Sequence, residues 1–263
     1  MTALLVSEYR KFTSTRLWWV LLIIMAVYMG MTAGGLAFSY TMSPSQSGPP
    51  MDPSRVPEFV YTTAASLGYA FPALIGVLAF AGEFRHKTIS PTFLATPNRT
   101  KVVLAKMVSA LPMGFIYGLA GTAASVLAGA AILKLNNLDP LLGHGHTWEI
   151  IARSVLALTV WLVVGVALGA LLTNQVAAIV TLLVFTQFIE PIARITLATT
   201  SWGENVAKFL PGSAGDAIAG GSLYSAMSTG TLLPMWGGVA VLLGYAALFA
   251  IIGRATVLSR DIG

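Results

Sequence analysis

The sequence predicts an all-α, polytopic membrane protein with six transmembrane helices, and three observations carry that prediction. Of its 263 residues, 56% are hydrophobic and only 10% are charged, against roughly 25% charged in soluble domains. Apolar runs recur along the chain, each near the ~20 residues a helix needs to cross a bilayer. Polar residues collect in the stretches between those runs. The length accommodates roughly six spans and leaves no sizeable soluble domain, so residues 1–263 are read as a single transmembrane domain.

Met1 to Arg16 has the pattern of an amphipathic helix lying along the membrane surface. Leu4, Leu5, Phe12 and the Tyr9 ring are expected on lipid, and Glu8, Arg10, Lys11 and Arg16 in water. The first span is Leu17 to Phe38, with Trp18 and Trp19 at the depth of an interfacial anchor. It exceeds the roughly 7–15 residues of a signal-peptide core, so a retained helix is expected. Ser39 to Pro57 contains SPSQSGPP and DPSRVP, which cannot continue a helix and read as an external loop.

The second span is expected from about Phe59 to Ala81, with Pro72 and Gly76 inside it. The third runs from about Val102 to Leu133 and is too long to be wholly buried. Its start, with Lys101 and Lys106, is expected to emerge into water, and Gly114, Gly118 and Gly121 suit close helix approach. Lys134 to Glu149 is a polar connection, and His144 and His146 within it lack the acids or cysteines of a metal site.

The fourth span, about Ile151 to Leu172, turns tightly through Thr173, Asn174 and Gln175 into the fifth, about Val176 to Leu197. Gln187, Glu190 and Arg194 share one face of the fifth span, and Pro191 interrupts its hydrogen bonding. Glu190 and Arg194 admit two readings. They line a substrate path, or they form an i,i+4 pair near the outer interface with Arg194 reaching to headgroups. Residues 201–232, around PGSAGDAIAGG, read as short interfacial or re-entrant helices with apolar faces from Phe209, Leu210, Ile218, Leu223 and Tyr224. The last span is about Leu233 to Ile252, followed by Arg254 and Arg260.

The absence of cysteine removes disulfides, thiol catalysis and Cys-based metal sites. The net charge of +5 is explained by its distribution, so no nucleic-acid partner is expected. An N-terminus inside places Arg10, Lys11, Arg16, Arg85, Lys87, Arg99, Lys101, Lys106, Arg254 and Arg260 in the cytoplasm. Only Arg55, Lys134, Arg153, Arg194 and Lys208 then lie towards the outside. Lys and Arg favour the cytoplasmic side, so both termini and Gly82 to Lys101 are expected in the cytoplasm of a plasma-membrane protein. No G-x-x-x-x-G-K-[ST] loop occurs, so the chain is not expected to hydrolyse ATP itself. Nor does a G-x-S-x-G, H-E-x-x-H or H-x-E…P-C-x-x-C site occur.

The stretch GEFRHKTISPTFLATPNRTK, Gly82 to Lys101, holds the densest charge in the chain. Glu83 stands where the second span ends, and pairing within the loop, capping the following short helix and contacting a soluble partner are all open to it. ISPTFLATPNRTK adds a short apolar helix-compatible core bounded by Pro91 and Pro97, with a basic end.

This arrangement resembles the permeases of ABC-2-type exporters, in which a Glu after the second span precedes a Thr-containing short helix and a Pro-x-Arg segment. Glu83, Thr88, Thr96-Pro97-Asn98-Arg99 and Lys106 match those elements, and EYRKFTSTRLWWVLL, Glu8 to Leu22, is similar to the start of many such permeases. Leu210-Pro211-Gly212 adds a weaker match. The resemblance implies a cytoplasmic coupling helix within residues 83–101, with Glu83, Arg85, Thr88, Pro97, Arg99 and Lys101 facing a separate ABC ATPase. ATP and Mg would be held by that partner and no cofactor by this chain. It implies pairing with a second permease copy or a related chain, contact with membrane lipid, and export of a hydrophobic or amphipathic substrate across a bacterial inner membrane. On the same resemblance, Tyr69, Phe71, Phe185, Gln187, Phe188 and Glu190 are candidates for the substrate path, with packing between helices as the alternative for each aromatic. An ion-coupled secondary transporter and a non-transporting anchor or sensor are the competing classes.

Overall fold

The computed structural model describes residues 2–42, 52–221 and 231–256, and among them no strand occurs. The chain begins with α1 (Thr2–Ser14), bends at Thr15 and Arg16, and enters α2 (Leu17–Met42). Two bonds fix that elbow: Trp18 Nε1 donates to the Thr13 carbonyl at 3.1 Å, and the Tyr117 hydroxyl donates to the Trp18 carbonyl. α1 is amphipathic as expected, but Glu8 is buried rather than in water, because α1 packs on α7 (Arg99–Leu135) and turns that face inward.

Residues 43–51 of the expected external loop lie outside the described residues, as do Leu223, Tyr224 and Arg260. After a 3₁₀ turn at Pro53–Arg55, the expected second span is not one helix. It is divided into α3 (Val56–Tyr61), α4 (Thr63–Leu67) and α5 (Ala70–Arg85), the last with 16 residues. The break before α5 falls at Gly68, where a Cβ would press on the Ala64 carbonyl and on Met29 of α2. Pro72 therefore sits in the first turn of a new helix, where its missing N–H costs little, instead of kinking a continuous one.

Among the described residues five helices are long and apolar enough to cross a membrane: α2, α7, α8 (Gly145–Leu171), the continuous Gln175–Leu197 segment and α13 (Met235–Thr256). At 37 residues, α7 is about 55 Å long and outruns a hydrocarbon core of ~30 Å. Lys101 at its start is exposed, but Lys106 does not emerge into water, being only 3% exposed.

The core is organised on α8, of whose most apolar stretch 89% is buried, against 17% for α13. α8 packs against α5, α7, α12 (Pro211–Ala219) and α13. Glycine makes these contacts close. A Cβ at Gly165 would overlap the Ala73 carbonyl of α5, and one at Gly76 the Leu162 carbonyl of α8. Gly114 and Gly118 lie on Thr159 and Val155 of α8, whereas Gly121 faces Met25 of α2. Small residues let backbones approach so closely.

Asn174 caps the next helix, its Oδ1 accepting from Ala177 N at 3.1 Å. That segment comprises α9 (Gln175–Val184), a π-helical turn at Phe185–Ile189 and α10 (Glu190–Leu197). The π turn sits immediately before Pro191, whose ring would otherwise crowd the carbonyl four residues back. α11 (Ser201–Ala207) and the fully buried α12 follow. α12 ends at Gly220 in the left-handed region, φ 95°.

Candidate functional site

Four helices converge on a buried ionic cluster at the end of α5. Glu8 comes from α1, Glu83 from the last turn of α5, Thr92 from α6 (Ile89–Ala95) and Lys106 from α7, and all four are 8% exposed or less. Lys11 of α1 closes the cluster from the solvent side. Lys106 Nζ donates to Glu8 Oε2, to Glu83 Oε1 at 2.7 Å and to the Ala79 carbonyl at 3.3 Å. Lys11 Nζ donates to Glu8 Oε1 at 2.7 Å, Glu83 Oε1 at 3.0 Å and Thr92 Oγ1 at 3.0 Å. Each ammonium has three hydrogens, and each thus finds three acceptors.

Two carboxylates and two ammonium groups leave the cluster neutral, which is what makes burial of Glu8, Glu83 and Lys106 tolerable. Burial pushes the Glu8 carboxyl up, but Lys106 and Lys11 outweigh it and hold the group below its ordinary range. Burial likewise lowers Lys11, and the bond to Glu8 and the charge of Glu83 more than reverse this.

The cluster fixes the polar stretch that follows it. Thr88 N donates to the Glu83 carbonyl at 2.9 Å, and Thr92 Oγ1 to the Thr88 carbonyl at 3.1 Å. α5 stops at Lys87, which adopts φ 57°. Pro91 lies inside the first turn of α6 rather than at its boundary, while Thr96 is extended ahead of Pro97. Asn98 Oδ1 accepts from Lys101 N at 3.1 Å and starts α7. The Arg99 guanidinium lies 5.3 Å from the Phe93 ring centroid. Of the six residues assigned to coupling, Glu83 belongs to the buried cluster; Arg85, Thr88, Pro97 and Lys101 are exposed, and Arg99 is half-buried. Leu94, between them on α6, is 83% exposed.

A second ionic group lies elsewhere in the fold. Glu190, 1% exposed, accepts through Oε1 from Gly212 N at 2.6 Å, Ser213 N at 3.1 Å, and Arg194 Nε and Nη2 at 3.1 and 2.8 Å. Arg194 Nη1 donates to Asp216 Oδ2 at 2.7 Å. The i,i+4 pair expected from sequence is therefore present, but Arg194 turns inward to Asp216 instead of reaching outward, its side chain only 13% exposed. The carboxylate meets the N-terminus of α12, where backbone N–H groups favour negative charge.

The residues assigned to the substrate path divide between interior and surface. Tyr69 is buried, stacked on Trp161 at 4.5 Å between centroids, and its hydroxyl donates to the Thr186 carbonyl at 3.1 Å. It joins the start of α5 to the π turn. Phe71 is half-buried 6.0 Å from the Tyr28 ring, and Phe185 is half-buried. Gln187 is exposed with Nε2 3.3 Å from Thr186 Oγ1, and Phe188 is 64% exposed. Sequence reasoning missed Lys11, Lys106 and Thr92 as partners of Glu83, Glu8 as the carboxylate that shares both lysines with it, and Asp216 as the partner of Arg194. The burial of Lys106 was also unforeseen. The helical face shared by Glu8 and Lys11 was the available signal for the first cluster.

No protein-family model matches the chain, and comparison with curated proteins finds no match.

Proposed function

We propose that this chain is the membrane-spanning permease subunit of an ABC-2-type exporter, moving a hydrophobic or amphipathic substrate out of the cytoplasm or inner leaflet. ATP hydrolysis belongs to a separate subunit, on which α6 docks. One observation carries the reading: the residues that mark the resemblance, Glu83, Thr88 and Lys106, are physically joined, with Glu83 and Lys106 paired at 2.7 Å and Thr88 bonded to the Glu83 carbonyl. A loop that transmits force between a soluble motor and a membrane helix must be stiff, and this stretch holds a short helix tied through Thr92 to Lys11 of α1 and Glu83 of α5. Leu94 and the exposed Arg85 and Lys101 offer an apolar contact framed by positive charge.

On this reading the membrane is the plasma membrane of a bacterium, both termini are cytoplasmic, and two permease copies or related chains enclose the path. Coupling needs contacts that differ between two conformations of the ATPase. Since Glu83 is built into the cluster, the discriminating substitutions are on the exposed surface: Arg85→Glu, Leu94→Glu and Lys101→Glu. Each is expected to insert and fold normally yet lose co-purification with the ATPase and lose export. Wild-type association and transport in all three variants would remove the docking surface.

The competing class is an ion-coupled transporter, and one observation favours it: Glu190 is buried with Oε2 unpartnered. Uptake or efflux driven by a proton or sodium gradient in liposomes holding this chain alone distinguishes it from the exporter.

A further inference from the structure

Beside the ionic cluster lies a cavity of about 580 Å³, within the ~300–1,000 Å³ range of small-molecule sites. It opens at the elbow between α1 and α2. Its walls divide by chemistry. Phe12, Leu17, Trp18, Ile75, Leu78 and Val166 supply an apolar side, whereas the other side is charged.

Lys11, Arg16 and Lys106 face Glu8 and Glu83, three cations against two carboxylates. Lys11 and Lys106 spend all three of their hydrogens within the cluster. The excess charge therefore resides on Arg16, which is exposed and forms no ion pair among the described residues. A guanidinium presents five donors in a fork that fits a phosphate. The His86 ring stands at the same cavity.

Ser14, Thr15 and Ser109 line the cavity, and each hydroxyl gives its hydrogen to a backbone carbonyl, of Lys11, Phe12 and Lys106 respectively. Each oxygen is thereby left as an acceptor. Gln175 also lines the cavity, with its Oε1 closed off inside the protein. The charged donor that the lining leaves for an anion is Arg16.

We infer that this cavity binds an anionic phospholipid, such as phosphatidylglycerol, from the leaflet that α1 borders. Arg16 takes the phosphodiester, and the first acyl carbons lie on Phe12, Leu17 and Trp18. The apolar wall selects a membrane-borne phosphate over a soluble one. The site is a property of the chain itself and holds whether or not an ATPase docks beside it, so its test uses the chain alone.

The experiment is native mass spectrometry of the purified full-length chain in detergent, titrated with phosphatidylglycerol, phosphatidylcholine and inorganic phosphate. One phosphatidylglycerol is expected to be retained under conditions that strip phosphatidylcholine. Arg16→Gln is expected to weaken it about fivefold, the effect of one basic residue at an anionic headgroup. Arg10→Gln, on an exposed position of α1 away from the cavity, is expected to leave retention unchanged. Equal retention of phosphatidylcholine, equal losses from Arg16→Gln and Arg10→Gln, or displacement of the lipid by millimolar phosphate would each overturn the assignment.

Discussion

Lys106 joins α1, α5 and α7 through one buried charge. It is 3% exposed and held by Glu8, Glu83 and the Ala79 carbonyl, with the Phe80 ring centroid 5.5 Å from its ammonium. Removing one member of a buried ionic group leaves the others uncompensated, at a cost of about 3–5 kcal/mol. Lys106→Met is therefore expected to destabilise the protein by that amount in detergent melting curves, and Lys106→Met combined with Glu83→Gln to recover more than half of the loss. A double variant no more stable than the single would show that the cluster is not what Lys106 supports. The same cluster sets the response to pH. Glu8 titrates below its ordinary 4.5 in the folded protein, so its contribution is complete above that value and is lost as pH falls through the lowered one. Lys11 is raised above 10.5, and its contribution is complete below 10.5 and fades as pH rises through the raised value. Melting temperatures should thus fall below about pH 4.5, and Glu8→Gln should flatten that acid limb while lowering stability at neutral pH.

At the scale of elements, apolar length was legible in the sequence and long-range partnerships were not. The membrane-length helices lie where their apolar runs do, and Asn98 and Asn174 cap α7 and α9 as local chemistry directs. Glu8 and Lys106 are 98 residues apart, and no periodicity says that two distant helices bring their charged faces to one point. Nor did Pro72 reveal the division of the second span, because proline is tolerated both within a membrane helix and in the first turn of a new one; what decides is the contact of Gly68 with α2. The fit of α5 on α8 gives a direct test. Gly165→Ala puts a methyl group against the Ala73 carbonyl, and overpacking of this kind costs ~1–3 kcal/mol. At Gly82, on the same helix α5, a Cβ meets nothing within 4 Å, so Gly82→Ala should gain up to about 1 kcal/mol from helix propensity alone. Similar effects from both substitutions, read as shifts in thermal midpoint, would mean that α5 and α8 are not in close contact.

For the whole molecule, orientation is the property on which the functional reading turns. The proposed exporter needs Gly82 to Lys101 in the cytoplasm, the side that the distribution of Lys and Arg favours, and His86 is exposed at the turn between α5 and α6. A cysteine at His86, in a chain with no other cysteine, should resist an impermeant thiol reagent in intact cells and react in inverted vesicles. Labelling from outside intact cells would put the docking surface on the wrong side for an ATPase. The near-complete enclosure of α8 has a consequence for everything that surrounds the protein. Its medium is the chain itself, so bilayer thickness, lipid type and detergent reach it only through its wrapping of helices. A neighbouring subunit is confined to the same outer shell. Adaptation to new lipids or new partners is then free to rewrite the outward faces of α2, the Gln175–Leu197 segment and α13, while α8 answers only to the residues pressed against it.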